Sequence, residues 1–199
     1  MSLEVTWQEY AESTNGEVVP SGILRNGKDH RVISPLGPWK VALDVLTWYS
    51  PSVHTKTCMK LPFFNTTNLQ FSVQKNDLAA KFKALFGKKP IPTGSADFDK
   101  KYAITGSDPE RIRQIFSDPA IQQLIGLQPQ INFEISKHQS PEDFTGKLPA
   151  GVSMLCSYEL ARKIKDVERL KNLFALLKAV FTRMQSLGLV GDGVPEVEF

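Results

Sequence analysis

The chemical groups that stand out first are two Ser-Asp-Pro triplets, at 107–109 and 117–119, with arginines between them. Repeated carboxylates could hold a cation, but Asp108 and Asp118 lack the alternate-residue spacing of a calcium loop. Each aspartate precedes a proline and an apolar-periodic run. Asp can cap the free amides of a first helical turn, and proline is tolerated at the first helical position. The repeat therefore predicts the starts of two short helices.

Arg111 and Arg113 follow the first of these caps, where a helix start could hold an anion. They are a candidate anion site, although two arginines on a short amphipathic helix are also typical of a solvated face. A DNA-reading helix pair would need phosphate-binding cations on its second helix, where the sequence offers Gln122 and Gln123. With 24 Lys and Arg against 21 Asp and Glu, the formal net charge is only +3. No nucleic-acid partner is predicted.

Five lysines surround the apolar stretch "LAAKFKALFG", in which two phenylalanines share a predicted helical face. Basic residues flanking phenylalanines suit an anionic membrane surface or an acidic partner. The alternative is that the phenylalanines belong to the core and the lysines form its solvated rim. The candidate anionic-surface patch consists of Lys75, Lys81, Lys83, Lys88 and Lys89.

No local spacing predicts a catalytic nucleophile, a metal site or a cofactor. The three histidines are scattered without metal-ligand spacing. Active sites assembled from distant strands leave no local motif, however. A small hydrolase therefore remains an alternative, with a site drawn from Asp44, His54, Asp97 or His138.

Two cysteines, Cys58 and Cys156, lie far apart without a C-x-x-C spacing. Both fall in alternating patterns typical of strands, which predicts buried thiols. The N-terminus has no basic start followed by an apolar run, and no apolar stretch reaches membrane-spanning length. The sequence predicts a cytoplasmic protein without a transmembrane segment.

The elements that must position these residues are mostly strands. Six segments have patterns typical of strands: "WKVALDVLTW", "TKTCMKLPF", "LQFSVQ", "FDKKYAIT", "INFEISK" and "VSMLCSY". Period-2 alternation predicts a mainly antiparallel sheet with one solvated face. The connection "FNTTN" suggests a hairpin between the second and third of these strands.

Helices are expected at both ends of the chain and at the connections. Apolar residues at three-and-four spacing predict a long C-terminal helix over about 164–187, laid across the sheet. A short N-terminal helix ends near Asn15, and another helix follows Asp77. The predicted class is α+β: a predominantly antiparallel sheet with the long C-terminal helix packed on one face and short connecting helices. Residues 1–199 form one domain, with a loop- and hairpin-rich stretch at 15–38 and a tail at 188–199.

Four longer blocks of the sequence resemble a family of uncharacterised bacterial proteins of unknown function. The blocks are "GPWKVALDVLTWY", "LQFSVQKNDLAAKFKALFG", "FDKKYAITGSDPERIRQIFSDPAIQQLIGLQP" and "IKDVERLKNLFALLKAVF". The resemblance spans about 7–187 and departs at "KKPIPTG". It implies a single domain of bacterial origin and assigns no activity, cofactor or site residue.

These observations favour a non-catalytic intracellular domain whose sheet and long helix form a binding crevice or a partner surface. The alternatives are the hydrolase and an adaptor that docks on anionic surfaces through the lysine-rich helix. Partners are predicted only by class: another protein, or a second copy joined through an exposed sheet edge or the remaining apolar face.

Overall fold

A computed structural model describes residues 3–19, 28–49, 53–76, 89–136, 148–160 and 163–197. The predicted helix after Asp77, residues 20–27 of the hairpin-rich stretch and His138 lie outside these ranges. Among the helices described, none combines the length and hydropathy needed to cross a membrane.

The described ranges contain eight strands and five helices. The strands are β1 (Glu17–Val19), β2 (Lys28–Leu36), β3 (Trp39–Tyr49), β4 (Val53–Phe64), β5 (Phe71–Lys75), β6 (Tyr102–Gly106), β7 (Asn132–Ser136) and β8 (Val152–Leu160). The helices are α1 (Leu3–Ser13), α2 (Ala96–Lys101), α3 (Pro109–Phe116), α4 (Pro119–Gly126) and α5 (Val167–Ser186).

All eight strands form one sheet in the order β1-β2-β3-β4-β8-β7-β5-β6, and every described pair is antiparallel. The hairpin predicted between β4 and β5 is wrong. β4 pairs with β3 and β8, whereas β5 pairs with β6 and β7. In the sheet, β8 and β7 lie between β4 and β5. The pairing of β4 with β8 is non-local, and no turn signal in the sequence predicts it.

One face of the sheet, here called the first face, carries the main apolar core. Alternate residues of the central strands, such as Leu43, Leu61 and Leu155, are fully buried there. The long helix α5 packs onto this face, with Phe181 meeting Phe63 and Trp39 edge to face at 6.1 and 5.1 Å between ring centroids. The predicted α+β class and the packing of the long C-terminal helix are confirmed.

The long helix begins three residues later than predicted, because Asp166 is its N-cap and accepts a hydrogen bond from the Arg169 amide. Its apolar stripe is buried as the periodicity predicted. The buried side chains are Leu170, Leu173, Leu176, Leu177, Val180, Phe181 and Met184.

The Ser-Asp-Pro repeat marks two helix starts, as predicted. Asp108 caps α3 by accepting from the Arg111 amide at 3.1 Å, and Asp118 caps α4 by accepting from the Ala120 amide at 2.9 Å. Proline occupies the start of each helix. Both aspartates therefore serve as N-caps, because each carboxylate accepts a hydrogen bond from a backbone amide in the first turn of its helix.

The strand predicted from Phe98 begins only at Tyr102, because residues 98–101 belong to the short helix α2. Its acidic first turn and basic last turn match the helix dipole. The Asp99 carboxylate also accepts from the amide and hydroxyl of Thr93, at 3.0 and 2.8 Å. The local charge order outweighs the weak alternation that suggested a strand.

Candidate functional site

The reverse side of the sheet, here the second face, holds a buried charged cluster. Arg31 on β2 lies directly opposite Asp44 on β3, and Lys60 on β4 reaches the same carboxylate. Arg31 contacts Asp44 through Nε to Oδ1 at 2.5 Å and Nη2 to Oδ2 at 3.0 Å, while Lys60 Nζ lies 2.7 Å from Oδ2. The three side chains are 2%, 0% and 1% exposed. The expectation of one solvated face is therefore wrong at the centre of the sheet.

The charged cluster fixes the ionisation of its carboxylate. Burial alone would raise the pKa of Asp44, but the charges and hydrogen bonds of Lys60 and Arg31 outweigh burial and lower that pKa below 3.8. Asp44 is thus held as an anion between two cations. This arrangement favours a structural role for Asp44, which links three strands through ion pairs, over a role in proton transfer at neutral pH.

Beside the cluster lies a thiol patch, defined by Cys58, Met154 and Cys156. Cys58 is opposite both Asp44 and Tyr158, while Cys156 is opposite Lys60. The two cysteines are 2% and 8% exposed and unbridged, which confirms the predicted buried thiols. They are diagonal neighbours across β4 and β8, and diagonal pairs are separated by about 7–8 Å, more than a disulfide spans without backbone movement.

Tyr158 closes one side of the thiol patch. Burial, with smaller contributions from Glu134 and the two cysteines, raises the pKa of its phenol well above the ordinary value. The Lys56 ammonium lies 5.0 Å from the centroid of the Tyr158 ring. Tyr158 is therefore a neutral packing group at physiological pH.

A groove with a volume of about 760 Å³ lies between helix α1 and the first turn of α5, and is here called the α1/α5 groove. It is lined by Glu9, Glu12, Ser13, Lys165, Asp166, Val167, Glu168 and Lys171. A hydrogen bond from the Thr6 hydroxyl to the Lys165 carbonyl at 3.2 Å joins its two walls. Lys171 neutralises Glu168 at 2.7 Å, leaving carboxylates in excess on the exposed rim.

Within the described part of the chain, the structure keeps the candidate hydrolase residues Asp44, His54 and Asp97 apart. Asp44 is buried in the charged cluster, whereas Asp97 is exposed on α2, which leads into β6. Five strand steps separate β3 from β6, a distance of about 24 Å. His54 lies four residues along β4 from the partner of Asp44, about 13 Å away. Within the described ranges, no three metal-ligating side chains converge on one point.

The candidate anion residues are engaged in local ion pairs. Arg111 Nε lies 3.4 Å from Asp108, and Arg113 Nη1 lies 2.6 Å from Glu110. Arg113 also donates to the Pro92 carbonyl at 3.3 Å. Both arginines remain accessible, at 43% exposure, and their role as an anion site stays a prediction.

The lysine-rich patch falls largely on residues that the structure leaves undescribed. Lys75 ends β5, and Lys89 is exposed. Lys81, Lys83 and Lys88 lie outside the described residues. The anionic-surface hypothesis stays a prediction.

The charged cluster was not predicted from the sequence, although two of its three members left a signal. Asp44 stands inside "VALDVL" and Lys60 inside "CMKLPF", both charged residues in otherwise apolar strands. A charge at a strand centre is compatible with either a solvated face or a buried pair. Only the strand order distinguishes the two.

Both edges of the sheet are shielded. At one edge the Ile91 amide donates to the Ile104 carbonyl of β6 at 2.7 Å. At the other edge β1 is only three residues long. Short or covered edge strands limit pairing with another chain.

A structural comparison identifies the same fold in a solved structure. The crystal structure of the mycobacterial trehalose monomycolate transport factor A, TtfA, superposes with a TM-score of 0.55 at 9% sequence identity. The match covers 96% of this chain and 98% of that one. No protein-family model matches the chain, and no curated protein matches its sequence. The resemblance to a bacterial family therefore stays a prediction, and the shared fold is what the comparisons establish.

Proposed function

We propose that this chain is a non-catalytic binding domain that acts through contact with a partner protein. The observation that carries the proposal is the fold similarity to a transport factor over almost the whole of both chains. We infer from this shared fold that the chain acts by binding. The proposal places the domain inside the cell, where thiols such as Cys58 and Cys156 persist without forming disulfides.

The roles of the acidic residues support a binding function. Asp108, Asp118 and Asp166 cap helices, Asp99 holds the turn before α2, and Asp44 joins three strands. These carboxylates are used for architecture. A function based on surface contact requires none of them to leave its partners.

The α1/α5 groove is the partner surface that the geometry supports best. Four carboxylates and two lysines line the groove. Its two walls are joined by the hydrogen bond from the Thr6 hydroxyl to the Lys165 carbonyl. Charge complementarity favours a cationic segment, because opposite potentials steer encounter and exclude wrong partners. The occupant we propose is a lysine- or arginine-bearing helix or loop of a partner protein.

The test is an NMR titration of the isotopically labelled chain with a twelve-residue Lys- and Arg-rich amphipathic peptide. We expect shift changes concentrated at Glu9, Glu12 and Glu168, weakening as salt rises from 50 to 300 mM because the contact is ionic. Shift changes spread evenly over the acidic surface, or none at the groove, would contradict the assignment.

Matched charge reversals separate the groove from general electrostatics. The pair Glu9→Lys and Glu12→Lys should abolish the localised shifts. The pair Asp192→Lys and Glu196→Lys changes the net charge equally on exposed tail residues and should leave them intact. Equal losses in both double variants would contradict a specific groove.

A further inference from the structure

Residues 188–197, here called the strap, connect the two faces of the sheet. The strap leaves the end of α5 on the first face with Leu189 buried and its amide bonded to the Met184 carbonyl at 3.0 Å. It ends on the second face, where Val197 packs against the thiol patch. The last described residues of the chain therefore cover cysteines that lie on the side opposite α5.

The first half of the strap is firmly anchored at the end of β4. Val190 forms an antiparallel bridge with Asn65, and the Gly191 amide donates to the Phe64 carbonyl at 2.8 Å. A side chain at Gly191 would meet Phe64 Cβ at 3.0 Å, so only glycine allows this approach without displacement. Asn65 is itself held by its Nδ2 bonds to the Leu69 carbonyl and the Ser153 hydroxyl.

The second half of the strap is attached more lightly. Residues 192–194 are exposed, and Gly193 has a φ of +89°, which favours glycine and marks a bend. Beyond the bend, Pro195 is buried and Val197 is partly buried on the thiol patch. A segment with few apolar contacts opens at much lower free energy than the whole domain.

From this asymmetry we propose that the strap is a displaceable cover, anchored at 189–191, whose docking through Val197 sets the reactivity of Cys58 and Cys156. Opening beyond Gly193 removes Val197 from the thiol patch, against which Tyr158 and Leu148 also pack, while β4, β8 and the anchor stay in place. The coupling is reciprocal, because a group bonded to either sulfur takes the space of Val197 and favours the open strap. The strap and the two thiols thus form a switch sensitive to thiol modification.

The test compares two valine substitutions three residues apart in the strap. Val197→Asp removes the apolar contact with the thiol patch, whereas Val194→Asp places the same charge at a site that is 39% exposed. N-ethylmaleimide is the probe: the thiolate adds to its double bond, forming an S–C bond, and solvent supplies the proton. Intact-mass kinetics follow the reaction, and Cys58→Ala and Cys156→Ala variants assign it to a sulfur.

We expect Val197→Asp to accelerate alkylation about tenfold and Val194→Asp to stay within about twofold of the unsubstituted chain. Equal rates in the two variants would overturn the proposal. So would an acceleration fully explained by a matching fall in global stability, measured by urea unfolding of the same proteins.

The reciprocal arm uses the Cys58→Ala chain alkylated at Cys156. The Val197 methyl signals should move on alkylation toward their positions in an unfolded chain, while the Gly191 amide, which donates to the Phe64 carbonyl in the anchor, should keep its slow hydrogen exchange. Unchanged Val197 methyl signals would show that the thiols and the strap are not coupled.

Discussion

The two faces of the sheet are both buried at the centre, yet they are stabilised by different interactions. On the first face, aliphatic and aromatic side chains meet the helices, and this burial tolerates exchange among residues of similar volume. On the second face, Arg31, Asp44 and Lys60 must meet at hydrogen-bonding distance. A one-residue slip of β3 would move Asp44 to the first face. The first face therefore supplies stability, while the charged cluster specifies the register of β3.

The largest effect is expected from Asp44→Ala. It leaves two buried cations without the carboxylate that both contact, and breaking a buried ion pair costs about 3–5 kcal/mol of unfolding free energy. Urea unfolding measures it. Asp97→Ala, on exposed α2, is the control and should cost less than about 1 kcal/mol. A similar loss in both variants would remove the distinction between the faces.

On the first face, Leu177→Ala is expected to cost about 3 kcal/mol, because it opens a cavity under α5. The same substitution at Leu127, which is 50% exposed, should change stability by less than about 0.5 kcal/mol. The loss for Leu177→Ala should be independent of pH. A pH-dependent loss there would mean that the two faces are electrostatically coupled.

Acidification should weaken the second face more gently than deletion, since a protonated Asp44 keeps its volume and part of its capacity to accept hydrogen bonds. Its pKa is lowered in the folded chain, so its contribution is full above its unfolded pKa of about 4. The contribution is lost as pH falls through the lower folded value. Urea unfolding between pH 7 and pH 2.5 should show this, and Asp44→Asn should remove that part of the slope. An identical slope in Asp44→Asn would contradict the prediction.

The helix caps should have smaller and equal effects. Asp108→Ala and Asp118→Ala each remove one bond to a first-turn amide, a loss of about 1 kcal/mol. Thermal unfolding measures it, with the exposed Asp192→Ala as control. A loss near 3 kcal/mol for either aspartate would indicate a role beyond capping.

The smallest effect is expected from Arg113→Gln, which breaks an exposed pair with Glu110. Such pairs contribute between about 0 and 1 kcal/mol, and the change should shrink further in 0.5 M salt. Urea unfolding at low and high salt provides the measurement. A loss comparable to that of Asp44→Ala would mean that exposure does not separate the two kinds of ion pair.

Prediction from sequence succeeded where the signal is local. The caps at Asp108 and Asp118 and the stripe of α5 depend on residues within one or two helical turns, so spacing reveals them. It failed at α2, where charge order decided between helix and strand. It also failed at the β4–β5 connection, where an uninformative loop joins strands that pair elsewhere.

The candidate site shows the same division. Cys58 and Cys156 were correctly expected to be buried, because each stands in a strand pattern. Three contacts were not predictable from the sequence: the proximity of the two cysteines, the packing of Val197 against them, and the convergence of Arg31 and Lys60 on Asp44. Each depends on which strands become neighbours.

The amino-acid sequence by itself determined the α+β class, the helix starts and the apolar stripe, because these follow from interactions between residues close along the chain. Tertiary structure alone decided that β8 lies between β4 and β7, that the centre of the second face is buried, and that Val197 reaches the thiols. Those outcomes depend on pairing between segments about 100 residues apart, where many registers satisfy the same alternation. The free energy of the whole sheet selects among them.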